Sequence, residues 1–276
     1  MRPADALDAE RPDRPARPVA DLYDLTGRVA VVTGGAGLYG SHMCAALAEA
    51  GAHVVVTSRD EAACARAAQA LCDAGLSASS HRLDLADEAS IRALRDDTVA
   101  AYGRIDVLVN GSVHRQGGDP AGTTAADWAA TSLVNSTGLF LITRDIGEQM
   151  MAQGSGSIVN IGSIYGVVGP TFDIYAGTGM TSPAFYAYDK GGMVNLTRYL
   201  ACYYGPHGVR VNCLSPGGLR SDGQPDAFLA AYRAATPLGR LAGPDDIKGP
   251  IVFLASDASA YLTGTNIMVD GGWTAH

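Results

Sequence analysis

The sequence predicts an α/β fold in which helices cover both faces of one doubly wound, mostly parallel sheet. Short β-branched runs alternate with stretches rich in Ala, Leu, Glu and Arg, which is the pattern of βαβ units. The β-branched runs are almost continuously apolar, as in strands that are buried on both faces. The 34 glycines are separated by hydrophobic runs, which indicates tight turns between elements rather than disorder.

The predicted strands, in chain order, span residues 29–33, 53–57, 105–110, 157–161, 209–214 and 266–269. Helices are predicted between them, including one over residues 184–204. Right-handed crossovers between parallel strands bring ligands to the carboxyl ends of the strands. Residues 1–20 contain four arginines and four prolines, a composition that predicts a disordered leader. A single domain is therefore expected over residues 21–276.

Composition excludes several classes of partner. The chain of 276 residues is 47% hydrophobic and 17% charged, so it can bury a large core. A net charge of -8 without a long Lys/Arg cluster argues against nucleic acid and anionic lipid as partners. No apolar run reaches the roughly 20 residues of a bilayer span, and no apolar signal core is present near the N-terminus. A cytoplasmic protein without membrane contact is expected.

The cysteines do not predict a metal site or a disulfide framework. The five cysteines include no Cys-x-x-Cys pair, and none has metal-ligand spacing with the six histidines. We expect reduced cysteines that mostly serve in packing, and no bound metal.

A glycine-rich segment at residues 33–40 (TGGAGLYG) follows the first predicted strand and begins a helix. The unpaired N–H groups at a helix N-terminus bind a pyrophosphate, and glycine allows the close approach of the backbone. This context predicts a dinucleotide site that includes Gly34, Gly37, Leu38 and Tyr39.

The end of the second predicted strand indicates which dinucleotide binds. NAD-binding folds place an acid there for the ribose 2′-hydroxyl, but this strand ends in Thr57-Ser58-Arg59. A guanidinium suits a 2′-phosphate, so Ser58 and Arg59 favour NADP(H). NAD(H) remains the alternative because Asp60 is the next residue.

Tyr186 and Lys190 stand four residues apart within the predicted helix 184–204. This spacing places the phenol and the ammonium on one helix face, one turn apart. A neighbouring cation favours the phenolate and lowers the pKa of a tyrosine from its ordinary value near ~10. The pair therefore predicts a general acid or base.

Further motifs follow in a fixed order: Asp84-Leu85, Asn110 at a strand end, Asn135, Ser163 after a strand, and residues 210–217 (RVNCLSPG). Together with the glycine-rich turn and the Tyr186–Lys190 pair, this order resembles the short-chain dehydrogenase/reductase family over residues 24–274. The resemblance implies a Rossmann-type fold and a catalytic set of Asn135, Ser163, Tyr186 and Lys190. The cofactor contacts that it implies include Asp84, Leu85, Asn110, Tyr186, Lys190, Pro216, Gly217 and Leu219.

Three features depart from the family pattern. Leu38 stands in place of the second motif glycine, and the strand end that resembles the family's NNAG motif reads Asn110-Gly111-Ser112-Val113. Ser163 and Tyr186 are 23 residues apart, where about a dozen is usual. The longer loop resembles that of a bacterial branch associated with carbohydrate and surface-glycan modification. Its aromatic and hydroxyl side chains suit a sugar ring, although a cover over a subunit edge is the alternative.

The resemblance implies reversible hydride transfer between NAD(P) and a secondary alcohol or ketone of a polar, sugar-like or cyclitol-like substrate. Tyr186 would transfer the proton, Lys190 would lower the pKa of Tyr186 and bind the nicotinamide ribose, Ser163 would hold the substrate oxygen, and Asn135 would position a water relay. One alternative is an enzyme of the same fold that reduces an acyl-thioester ketone or a steroid. A nucleotide-binding scaffold without chemistry is the other, and the intact catalytic set argues against it.

Residues outside the motifs complete the expectations. Arg115 and Arg220 follow strand ends, so each is either a ligand for a substrate carboxylate or phosphate or a solvated side chain. Residues 217–240, with Asp222, Gln224 and Tyr232, are expected to form a lid. The helix of Tyr186 and the helix after Asn135 are expected to pack against symmetry mates in a homodimer or homotetramer.

Overall fold

The computed structural model describes residues 16–116 and 118–275, and within them seven strands form one fully parallel sheet. The strands are β1 (Val29–Thr33), β2 (His53–Ser58), β3 (Ala78–Arg82), β4 (Val107–Asn110), β5 (Gly156–Ile161), β6 (Val209–Pro216) and β7 (Asn266–Val269). Their order across the sheet is β3-β2-β1-β4-β5-β6-β7. The order reverses beside β1, and this switch point is where such sheets bind ligands.

Helices cover both faces of the sheet. They are α1 (Val19–Leu22), α2 (Leu38–Glu49), α3 (Glu61–Asp73), α4 (Glu88–Tyr102), α5 (Ala125–Ser132), α6 (Leu139–Gln153), α7 (Ala184–Tyr204), α8 (Asp226–Ala235) and α9 (Lys248–Ala255). Alternate residues of β1 face two separate cores: Val32 packs with Leu47 and Leu254, whereas Val31 packs with Ile146 and Leu200. The predicted doubly wound α/β fold is confirmed.

The six predicted strands are all present, and the helix predicted over residues 184–204 is α7. The missed element is β3, whose sequence Ala-Ser-Ser-His-Arg is mostly polar. It lies at the edge of the sheet and pairs only with β2, so its side chains are partly exposed. A polar edge strand lacks the apolar run by which the other strands were predicted.

The predicted leader, residues 1–20, falls mostly outside the described residues. Val19 and Ala20 belong to α1, so regular structure begins before residue 21. Pro18 precedes the first turn, and the Arg17 guanidinium pairs with the Asp257 carboxylate at 2.9 Å. The leader and the limits of the domain otherwise remain predictions.

None of the helices within residues 16–116 and 118–275 has the length and hydropathy required to cross a membrane. In the same residues, no cluster of three or more His, Cys, Asp or Glu side chains is placed to hold a metal ion.

Candidate active site

A cavity of about 700 Å³ lies at the carboxyl ends of the strands. Most of the predicted site residues line it: Gly34, Gly37, Leu38, Tyr39, Ser58, Arg59, Leu85, Ser163, Tyr186, Lys190, Pro216, Gly217 and Leu219. Asp84, Asn110 and Asn135 are not among its lining residues. Leu83 and the segment 111–115 line the cavity although the sequence did not single them out as cofactor residues.

The glycine-rich turn is built for close approach of the backbone. Gly34 has a φ of 69°, and the N–H of Gly37 donates to its carbonyl oxygen at 2.9 Å. A side chain on Gly40 would overlap that carbonyl oxygen. No side chain caps α2 and its first turn holds no acid, so its N-terminus suits an anion. The residues present therefore fit a dinucleotide.

Leu38, the departure within this turn, is the first residue of α2. Every described residue with a positive φ is a glycine, so Leu38 replaces the motif glycine without backbone strain. Its side chain is 54% exposed and lines the cavity. Tyr39, the next residue, donates its hydroxyl to the carbonyl oxygen of Gly217 at 2.8 Å. This bond joins the turn to the segment after β6.

At one end of the cavity, Ser58 ends β2 and Arg59 follows it. Arg59 is exposed and makes no ion pair with the described residues. The carboxylate of Asp60 instead caps α3, where it accepts the N–H of Ala63 at 2.9 Å. Asp60, the acid for which NAD(H) was kept as the alternative cofactor, therefore serves as the N-cap of a helix. Leu83 and Leu85 line the cavity here, whereas the Asp84 carboxylate accepts the N–H of Ala86 at 3.0 Å.

Asn110 braces the floor beneath the cavity. Its amide nitrogen donates to Thr143 Oγ1 and to Asn160 Oδ1, both at 2.9 Å. Asn160 in turn donates to Thr197 Oγ1 at 2.9 Å. These buried bonds join β4 and β5 to α6 and α7, so Asn110 fixes the helix that carries Tyr186.

Ser163 follows β5 and starts a short 3₁₀ turn, Ile164–Gly166, in which its Oγ accepts the N–H of Tyr165 at 3.1 Å. Gly166 brings this turn against α7, because a Cβ there would lie 2.7 Å from the carbonyl oxygen of Lys190. Lys190 is buried, and its Nζ donates to the carbonyl oxygen of Ile161 at 2.6 Å. The close packing of turn and helix places Ser163 beside Tyr186 and Lys190.

Tyr186 lies close to two cations. Lys190 Nζ is 5.7 Å and Arg115 Cζ is 4.8 Å from the centroid of its ring. Burial raises the pKa of Tyr186, but the charges of Lys190 and Arg115 and the nearby hydroxyl of Ser163 outweigh burial, so the pKa is lowered. For Lys190, burial has the opposite effect and lowers the pKa, because it disfavours the charged ammonium. The phenol is thus prepared for proton transfer.

Asn135 lies in a π-helical turn, Leu133–Gly138, that joins α5 to α6. Its Oδ1 accepts the N–H of His114 at 2.7 Å, and its Nδ2 donates to the His114 carbonyl oxygen and to Asp189 Oδ2, both at 2.9 Å. Buried Asp189 also accepts the hydroxyl of Ser136 at 3.0 Å. Asp189 was not predicted as a site residue; the only signal for it in the sequence is an acid directly before Lys190 in Tyr-Ala-Tyr-Asp-Lys.

The long loop between Ser163 and α7 forms one wall of the cavity together with α8. The rings of Tyr175 and Phe228 stack at 5.8 Å, and the hydroxyls of Tyr165 and Tyr175 are 2.8 Å apart. Tyr175, Met180 and Ser182 line the cavity. Of the polar residues predicted for the lid, Gln224 and Tyr232 line the cavity and Asp222 does not. Arg220, predicted as either a ligand for a substrate anion or a solvated side chain, does not line the cavity, whereas Arg115 does.

Comparison with known proteins identifies the family. A family model described as enoyl-(acyl carrier protein) reductase matches residues 37–274. A short-chain type dehydrogenase/reductase from Mycobacterium marinum superposes with a TM-score of 0.85 at 30% identity, covering 94% of this chain and all of that one. The chain belongs to the short-chain dehydrogenase/reductase family.

Two further relatives of this short-chain dehydrogenase/reductase are dehydrogenases by name. Cis-4-hydroxycyclohexanecarboxylate dehydrogenase from Sinomonas cyclohexanicum is 38% identical over 90% of this chain and 97% of its own length. A gluconate 5-dehydrogenase from Burkholderia cenocepacia J2315, in complex with NADP and tartrate, has a TM-score of 0.84 at 31% identity and covers 94% of this chain and 100% of that one. The predicted class is confirmed: the protein is an NAD(P)-dependent oxidoreductase that acts on a polar secondary alcohol.

Proposed function

We propose that this enzyme is an NADP-preferring dehydrogenase that reversibly oxidises a secondary alcohol of a polar, sugar-like or cyclitol-like substrate. The observation that carries the proposal is the proximity of the Tyr186 phenol to the cations of Lys190 and Arg115, in a cavity that begins at the glycine-rich turn. A phenol with a lowered pKa is the group that proton transfer at an alcohol oxygen requires.

The cofactor residues divide along the cavity. Gly34, Gly37, Leu38 and Tyr39 would hold the pyrophosphate with the N-terminus of α2, and Ser58 and Arg59 would hold the 2′-phosphate. Leu85 would contact the adenine, with Asp84 shaping the turn beside it. Asn110 would hold β4 against β5 and α6 through its hydrogen bonds to Asn160 and Thr143. Lys190, Pro216, Gly217 and Leu219 would line the nicotinamide end, and the nicotinamide, when bound, accepts or supplies the hydride.

The catalytic roles follow from charge and contact. In oxidation, Tyr186 would take the proton of the substrate hydroxyl, and Lys190 would hold Tyr186 as phenolate. The hydroxyl of Ser163 would donate to the substrate oxygen as charge develops on it. Both side-chain groups of Asn135 are engaged by His114 and Asp189, so we assign Asn135 a positioning role. The water relay remains a prediction.

The substrate end is shaped by the long loop and α8. Hydroxyls of Tyr175 and Ser182 beside aromatic rings suit a hydroxylated ring, which supports the proposed place in the carbohydrate-modifying branch. The packing of Tyr175 on Phe228 favours a pocket wall over a cover for a subunit edge. The relatives named above favour an enzyme over a scaffold, and an acyl-thioester or steroid ketone is the rival substrate that a panel must include.

We also propose a cytoplasmic homodimer or homotetramer. Support comes from large aromatic side chains on the outer face of α7: Tyr188 and Tyr199 are each 64% exposed and Tyr203 is 58% exposed. Exposed aromatic side chains grouped on one helix are typical of surfaces that bind a second subunit.

The test is Tyr186→Phe, with Tyr188→Phe on the exposed face of the same helix as the matched control. We expect Tyr186→Phe to lower kcat by about 10²–10⁴ in a panel of polyols, hydroxy acids, acyl thioesters and steroids, while cofactor binding is kept. Tyr188→Phe should behave as the wild type. Unchanged turnover in a folded Tyr186→Phe protein would exclude the proposed mechanism.

A further inference from the structure

Arg115 lies at the substrate end of the cavity, where its guanidinium carbon is 4.8 Å from the centroid of the Tyr186 ring. Arg115 is exposed and makes no ion pair with any carboxylate in the part of the chain that the structure describes. Guanidinium groups in binding sites bind planar anions through two parallel hydrogen bonds. The position of Arg115 therefore provides a cation directly beside the reacting group.

The backbone that carries Arg115 is held by buried groups. The Asn135 amide bonds both the N–H and the C=O of His114, the preceding residue, at 2.7 and 2.9 Å. Asn135 is fixed in turn by the buried carboxylate of Asp189, at 2.9 Å. Asp189 thus acts through Asn135 on the segment before Arg115. These contacts fix the backbone from which the Arg115 side chain extends. Arg115 therefore differs from an ordinary solvated arginine.

The charges around the cavity indicate the kind of anion. Among the described residues that line it, the single acid is Asp60, which caps α3 at the Arg59 end. The substrate end is lined by His114, Tyr175, Ser182 and Gln224, and none of these is a carboxylate. Lys190 is engaged by the Ile161 carbonyl oxygen. The single guanidinium and its planar fork match a carboxylate, which can accept two parallel hydrogen bonds.

From these contacts we propose that the substrate is a hydroxycarboxylate and that Arg115 binds its carboxylate. The proposal rests on the dehydrogenase function proposed above and names its substrate class. Because the substrate hydroxyl must reach Tyr186, which also contacts Arg115, the carboxylate lies within a few bonds of the reacting carbon. The names of two relatives agree with this class: one acts on a hydroxycyclohexanecarboxylate, and the other is a gluconate dehydrogenase that was crystallised with tartrate.

Calorimetric titration of the NADP-loaded protein tests the proposal without turnover. The probes are cyclohexanecarboxylate, butyrate and tartrate, each compared with its uncharged amide. Variants are Arg115→Gln and Arg115→Lys, with Arg220→Gln as the matched control, since Arg220 does not line the cavity. Circular dichroism and thermal unfolding establish that each variant is folded.

We expect at least one carboxylate to bind the wild type and Arg220→Gln about 10- to 100-fold more tightly than its amide, which is the range of a charge-assisted hydrogen-bonded pair. Arg115→Gln should abolish this preference, and Arg115→Lys should keep only part of it because it lacks the planar fork. Equal binding of acid and amide, no binding of any carboxylate, or full carboxylate binding by Arg115→Gln would each overturn the proposal.

Turnover separates this inference from the dehydrogenase function. Arg115→Gln should raise KM for 4-hydroxycyclohexanecarboxylate and leave KM for its methyl ester near the wild-type value. A wild type that oxidises neutral polyols at least as well as hydroxy acids would keep the dehydrogenase function and overturn the carboxylate site. Carboxylate binding that depends on Arg115, without cofactor reduction by any alcohol, would support the anion site and exclude the dehydrogenase function.

Discussion

At the scale of single residues, charge sets the chemistry of Tyr186. Burial alone would raise the pKa of its phenol, and only the cations of Lys190 and Arg115, with the nearby Ser163 hydroxyl, lower it. The Tyr186–Lys190 spacing predicted one of these cations from sequence. The contribution of Arg115 could not be read from the sequence, because residues 115 and 186 meet only through the fold.

A pH profile follows from this balance. In the proposed oxidation the phenolate is the active form, so we expect activity to fall as pH drops through the pKa of Tyr186. Removal of the Arg115 cation in Arg115→Gln raises that pKa. The acid limb of kcat/KM for a neutral alcohol should therefore move to higher pH. Arg220→Gln is the control, and an acid limb that stays in place in Arg115→Gln would contradict the assigned role of the cation.

The proposed preference for NADP(H) depends on Arg59, which directly follows β2. We expect fluorescence titration to give tighter binding of NADPH than of NADH, and Arg59→Asp to reverse this order through a change of about 10- to 100-fold in NADPH affinity. Arg66→Asp is the control, because Arg66 is exposed on α3 and the variant makes the same charge change away from the cavity. Equal affinity of the wild type for both cofactors would refute the preference and return NAD(H) as the cofactor.

At the scale of elements, the packing of the turn after Ser163 on α7 holds the site together. Gly166→Ala would place a Cβ against the backbone of Lys190, where neither element can yield easily. We expect a loss of about 1–3 kcal/mol in the free energy of unfolding and a lower kcat, since Ser163 and Tyr186 separate. Gly169→Ala is the control because open space surrounds that glycine. Equal thermal unfolding and equal kcat of the two variants would show that the contact is unimportant.

The elements also show why part of the site was predictable. Apolar strands, the glycine-rich turn and the spacing of Tyr186 and Lys190 are local patterns, and the structure places them as expected. Polar β3 lacks such a pattern. Asp60 could have faced the cofactor or capped a helix, and only the start of α3 decides between them. Asp189 was missed because its partner, Asn135, is 54 residues away.

At the scale of the whole molecule, the aromatic outer face of α7 and exposed Phe140 on α6 predict an oligomer. Light scattering at micromolar concentration should give a mass of two or four chains. Phe140→Glu should shift it toward one chain, because burying an unpaired charge in an interface is costly. Val19→Glu, on α1, is the control, since Val19 is 70% exposed on an element remote in sequence from this face. A wild-type mass of one chain would contradict the assembly.

The bond between the Tyr39 hydroxyl and the Gly217 carbonyl has a consequence for biosynthesis, since it joins residues 178 positions apart. A ribosome releases the glycine-rich turn before the opposite wall of the cavity, which follows only after β6 and α8 have been made. Contacts of such long sequence separation form late during folding. A nascent chain that ends before residue 217 therefore has the glycine-rich turn but no enclosed cavity, and it acquires the complete site only after β6 and α8 have been made.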